Sequence, residues 1–188
     1  MAESSSYDLE YLRIGLEEIE DYLLSKELFW PVTGRPAGGK PFNKMTIGNL
    51  LLSERRLVAH SKAGLLTAAE ESELVGMQGR LEAVQAKWRV NWEEKASQEY
   101  QTRFNQWMRA LEELKSDRYQ NAPYYRNEVR ARVQMELLAD HVPHNEQINL
   151  QAFDNLLKSI FKPGHFIWQA ELSAGFSPDK FWYLYGSV

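Results

Sequence analysis

Apolar residues recur every three or four positions along most of this chain, and the recurrence divides it into helical segments. Leu9, Leu12, Leu16, Ile19 and Leu23 mark the first. Ser5 or Ser6 is placed to cap it, Asp8 falls in its first turn, and it should end near Leu28, ahead of Pro31. Ile47, Leu50, Leu51, Leu52, Leu57 and Val58 form a second stripe after Thr46. It should stop at Gly64, which suits a left-handed C-terminal cap. Only Leu65 and Leu66 separate that glycine from Thr67, which has Glu70 three residues later in the form of a capping box. The short link makes the second and third helices antiparallel neighbours.

From about 67 to 117 the chain has no proline and is dense in strong helix formers, which predicts one long helix of about 75 Å. Leu74, Met77, Leu81, Val84 and Trp88 step by three and four, as on a coiled-coil seam. Trp88, Trp92, Ala96, Tyr100 and Phe104 step only by four, and each such step carries the stripe about 40° round the helix. Phe104, Trp107, Leu111 and Leu114 then resume the first rhythm on a face rotated by about 130°. The two ends cannot bury their stripes against one straight partner, so a continuous helix with two sets of partners is expected.

Asn121 is placed to cap a further helix at about 122–141, with Pro123 in its first turn, core positions Val129, Val133, Leu137 and Leu138, and Pro143 as its stop. It should fold back along the long helix. A shorter one opens at Asn149 and ends at Pro163 and Gly164. Residues 163–188 form an aromatic-rich extension expected to pack on the bundle. There, Phe166–Leu172 and Phe181–Tyr185 flank a turn-like stretch and suggest a small β-hairpin, although Ser177-Pro178-Asp179 equally suits a helix start. Residues 30–45, with three prolines and three glycines, read as a loop. The fold class is therefore mainly α: a single domain, an elongated helical bundle around one long helix.

Charge adds a constraint on how the helices meet. Residues 1–30 hold eight acids against two bases, and residues 31–64 hold six bases against one acid. Opposite charge on neighbouring segments implies that the two pack together. The net charge of −4 argues against nucleic acid as partner. Cysteine is absent, which excludes disulfides, thiolate nucleophiles and the common structural zinc sites and suits a cytoplasmic protein. The acidic, polar start does not resemble a signal peptide, and no stretch approaches the roughly 18 apolar residues of a membrane span.

Candidate chemistry is sparse. Gly34 to Lys40 matches the Gly-x4-Gly-Lys frame of a phosphate loop, but Pro41 stands where a metal-binding hydroxyl belongs, and a helix precedes it instead of a strand. His141 and His144, beside Asp140 and Glu146, are candidate metal ligands, yet Pro143 between them prevents a shared helical face. Arginines alternate with tyrosines from Arg118 to Arg132, a pattern used to stack on single-stranded nucleic acid; here Arg126 and Arg130 are expected to pair with Glu112, Glu113 and Asp117. No general acid and base stand across a cleft, and no cofactor motif is present.

The expectation is a non-enzymatic interaction module that self-associates, as a dimer, or binds another protein. Its surface is assigned to Tyr100, Phe104, Trp107 and Leu111 on the far half of the long helix, with Trp182 and Tyr185 from the aromatic tail. The alternative is a small-molecule-binding or enzymatic bundle, with an interhelical pocket lined by Trp88, Trp92 and Tyr100 and edged by arginine or histidine.

Overall fold

The structure, a computed structural model, describes residues 4–34, 36 and 41–188. Its first helix, α1 (Ser5–Leu24), is capped by Ser4, whose hydroxyl accepts the Tyr7 N–H. It ends four residues earlier than the sequence suggests. Ser25 turns extended, its N–H returning to Asp21 and Tyr22, and the cation missing from the last turn comes from elsewhere. The Lys95 ammonium donates to the carbonyls of Ser25 and Glu27 and lies 4.9 Å from the Tyr22 ring centre.

The loop that follows is pinned at its base, where Trp30 and Met45 exchange backbone hydrogen bonds. The Glu18 carboxylate holds it from α1, accepting from the Trp30 indole N–H and from both the N–H and hydroxyl of Thr33. Burial works against charge on Glu18, but these bonds hold its pKa below the ordinary value. Of the phosphate-loop frame, Gly34 and Pro36 are described; Arg35 and residues 37–40 lie outside the described residues.

Thr46 caps α2 (Ile47–Lys62), and Gly64 just beyond it has φ +67°, the left-handed cap conformation. The charge asymmetry between the first two segments becomes contact: α1 packs along α2, and Asp8 and Arg56 pair at 3.1 Å with both side chains buried. The Thr67–Glu70 capping box is formed in both directions at the start of α3 (Ala68–Lys87).

The expected long helix is divided at Trp88, between α3 and α4 (Arg89–Ser116). Trp88 has φ −113° and ψ 34°, and no proline or glycine adjoins it. The break falls where the apolar stripe begins to step by four. Bending there lets α3 lay Leu74, Met77 and Leu81 on α1 while α4 turns its rotated stripe to a different partner.

That partner is α6 (Tyr125–Leu138), reached through α5 (Arg118–Asn121) and a 3-10 turn at Ala122–Tyr124. Asp117, not Asn121, caps the restart, accepting from Gln120 N–H; the Asn121 amide instead donates back to the carbonyls of Glu113 and Asp117. Next comes α7 (Gln151–Ile160), then β1 (Lys162–Phe166), which pairs antiparallel with β2 (Tyr185–Ser187). The strands overlap the stretches that sequence patterning marks only at Phe166 and Tyr185, which pair with each other, because the rest of Phe166–Leu172 and Phe181–Tyr185 runs through irregular turns. Between them the chain lies directly on α2: a methyl added at Gly175 would come within 2.6 Å of the Ala59 methyl, and Arg55 donates to the Gly175 carbonyl. One apolar core includes residues of α1 to α4, α6, α7 and the aromatic extension.

Candidate functional site

The second apolar face of the long helical stretch is covered by the chain itself, which corrects its assignment as a free interaction surface. Tyr100, Trp107 and Leu111 are buried. Phe104 meets Phe153 of α7 edge-on at 5.1 Å, and Trp182 meets Phe161 at 5.4 Å. Tyr185 gives its hydroxyl proton to the Phe176 carbonyl. The physical reason is the tight restart at Asp117, which brings α6 back along α4, after which α7 closes over the remaining side.

Arg132 of α6 locks this covering layer. It pairs with Glu136 at 2.7 Å and Asp154 at 3.4 Å, and its guanidinium lies 4.7 Å from the Tyr183 ring centre. Tyr125 donates to the Tyr183 carbonyl at 2.7 Å, and burial pushes the Tyr183 phenol well above its ordinary pKa. This cluster is a clasp between α6, α7 and the C-terminal segment.

His141 and His144 sit in separate 3-10 turns. His141 is half-buried, bonded through Nδ1 to Gln85 and set edge-on to Trp92, and burial lowers its pKa. His144 is exposed. Among the described residues no three histidine or acidic side chains are grouped to hold a metal ion. Trp92, Arg89 and His141 do line a groove of about 310 Å³, but Trp88 and Tyr100 do not. Along the arginine–tyrosine segment, Tyr119 and Tyr124 face solvent while Tyr125 is buried. Arg130 reaches α2, donating to Asn49, instead of the acids of α4 that sequence spacing brings near it.

Two places stand out as uncommitted to the core. The first is the outer face of α3, turned about 160° from its buried seam. Ala69, Ser72, Gly76, Gly79, Ala83 and Ala86 follow steps of three and four along it, and all are exposed. Val75 beside them is 68% exposed, and a side chain added at Gly76 or Gly79 would meet nothing within 4 Å. Charged residues keep to the flanks.

The second is a cleft of about 510 Å³ between α2, α4 and α6. Its floor is built on the fully buried Glu99. One carboxylate oxygen accepts the Thr46 hydroxyl at 2.6 Å and the Arg103 guanidinium at 2.7 and 3.0 Å; the other accepts the Gly48 N–H at 2.6 Å. An internal anion thus occupies the N-terminus of α2. Gly48 is required there, because a Cβ would lie 2.7 Å from the carboxylate. Beside it, the buried Gln134 amide and Arg130 both donate to Asn49 Oδ1, while Asn49 Nδ2 donates to the Lys44 carbonyl.

Sequence reading passed over this cleft. The signal was present: Lys95, Glu99 and Arg103 step by four beside Trp92, Ala96 and Tyr100, a charged row running with the apolar one. No family model matches the chain, and neither the curated proteins nor the solved structures searched contain a match to it.

Proposed function

We propose that this chain is a non-enzymatic self-association module whose interface is the outer face of α3, meeting the same face of a second copy in antiparallel orientation. The observation that carries this is the exposed row of small residues Ala69, Ser72, Gly76, Gly79, Ala83 and Ala86, with two helix-interior glycines whose added methyl groups would meet nothing within the chain. Each glycine costs the helix about 0.8–1 kcal/mol relative to alanine. Small residues at three-four spacing let two helix backbones approach closely, and the run extends for about 26 Å. Charge bears on the orientation: Glu70, Glu71 and Glu73 lie in the first turns of α3, while Arg80 and Glu82 lie past its middle and Lys87 and Arg89 at or just past its end. Glu73, Lys87 and Arg89 are also paired to Arg13, Glu20 and Glu93. Antiparallel pairing sets acid against base, and parallel pairing sets like against like.

A single helix face lies at the low end of what a stable interface buries, about 1,000 Å² in total, so the dimer is weak and concentration-dependent. Sedimentation equilibrium across a hundredfold range of concentration tests it. The expected result is a monomer–dimer equilibrium that the double substitution Gly76→Lys with Gly79→Lys abolishes while leaving the circular dichroism spectrum unchanged. A chain that remains monomeric at the highest concentration would overturn the proposal.

A further inference from the structure

Independently of the α3 face, we infer that the cleft between α2, α4 and α6 binds a small, hydroxyl-rich organic oxyanion, a sugar phosphate or sugar acid in chemical class. Where three helices converge, apolar side chains ordinarily fill the gap. Here nine of the eleven described lining residues are polar or charged, and Phe29 and Ala131 are the exceptions. Five are carboxamides, which hold hydroxyl and carbonyl groups as both donors and acceptors. Three are cations, Lys44, Arg103 and Arg130, against one acid, Glu128; with Arg103 already paired to Glu99 beneath it, the cleft keeps one excess positive charge. The protein as a whole is acidic, so this is a local reversal of sign.

Position matters as much as composition. Asn49 and Gln134 are 9% and 1% exposed, and burying such amides is costly unless the network they form is satisfied. They are ordered by bonds to each other and to Lys44. The Glu99 carboxylate has already taken the Thr46 hydroxyl, the Gly48 N–H and two Arg103 nitrogens, so a ligand is not held by the helix terminus. It is held at the mouth, by the exposed Lys44 ammonium and by the amides. The scarcity of apolar wall excludes a lipid or a mainly aromatic ligand. A volume of about 510 Å³ suits a molecule of sugar phosphate size with its water.

Isothermal titration of the full chain with ribose 5-phosphate, gluconate and ribose at low ionic strength tests this. The first two arms separate phosphate from carboxylate, and neutral ribose reports the contribution of hydroxyl groups alone. Saturable binding of at least one charged probe is expected, at least tenfold tighter than ribose. Lys44→Gln should weaken it about tenfold, and Glu128→Gln should tighten it severalfold; the opposite signs separate a real site from loss of fold. Failure of both charged probes to saturate, ribose binding as tightly as they do, or the same affinity in Lys44→Gln would each overturn the inference.

Discussion

Replacing both helix-interior glycines of α3 by alanine gives the most direct test of whether their face serves the folded monomer. Added methyl groups at Gly76 and Gly79 would meet no atom within 4 Å, so no steric cost opposes the gain in helix propensity. The expected stabilisation is about 0.8–1 kcal/mol at each site, and the sum for the pair, since the two methyl groups share no neighbour. For a domain of this size each kcal/mol raises Tm by about 2–4 °C, so the double variant should melt about 3–8 °C higher. The assay is differential scanning calorimetry at dilute and at concentrated protein. In dilute solution, where the monomer dominates, the full gain should appear. If a second copy binds α3, wild-type Tm rises with concentration by mass action, and the Gly76→Lys, Gly79→Lys variant should lose that rise. A double alanine variant that is less stable than wild type in dilute solution would be false to this reasoning, because it would mean that the face is already occupied within the chain.

Gly48→Ala should destabilise the protein by about 2–3 kcal/mol in urea unfolding, because the new methyl displaces the buried Glu99 carboxylate from the Gly48 N–H; an unchanged midpoint would show that the carboxylate can move. Arg103→Met alone leaves Glu99 buried without its cation and should cost about 3–5 kcal/mol, whereas adding Glu99→Gln should restore part of that loss; a double variant no better than the single would contradict the pairing. Burial lowers the folded pKa of both His60 and His141 below the ordinary 6.5. The unfolded chain then takes up protons that the folded chain refuses, so their contribution is full above about pH 6.5 and is lost as pH falls through that value toward the lowered ones. Urea midpoints at pH 7.5 and 5.5 should differ more for wild type than for His60→Gln with His141→Gln, and equal slopes would dismiss both imidazoles.

Where the chain states its fold in short-range terms, sequence reading reached it. The Thr67–Glu70 capping box, the Gly64 terminus and the three-four stripe of α1 each depend on residues within one or two helical turns. The mainly helical fold and a small two-stranded sheet near the C-terminus follow from such signals. Boundaries set by distant groups were not legible. The end of α1 is fixed at Ser25 with the help of Lys95, which lies seventy residues away in sequence. The strands of the C-terminal sheet are short, and one contains Pro163 and Gly164, which read locally as helix stops.

The drift of the stripe between Trp88 and Phe104 was read correctly as a change of partner and incorrectly as a surface left for another molecule. Drift by itself fixes the direction in which a helix face points. It does not fix whether the chain's own later segments reach that far, which here depends on the turn at Asp117 and on Arg132 joining α6 to α7. The steps of four that move the apolar row also move the charged row beside it, carrying Lys95, Glu99 and Arg103 inward against α1, α2 and their connecting loop. A charged row buried between helices cannot be filled by leucine on the opposing side, so the start of α2 answers it with the Thr46 hydroxyl and the Gly48 N–H, and the bonded pair Asn49 and Gln134 lies beside them. The polar cleft is thus the geometric consequence of a rotating stripe. The outer face of α3 escapes that constraint because it precedes the rotation, and its two glycines answer to nothing within the chain.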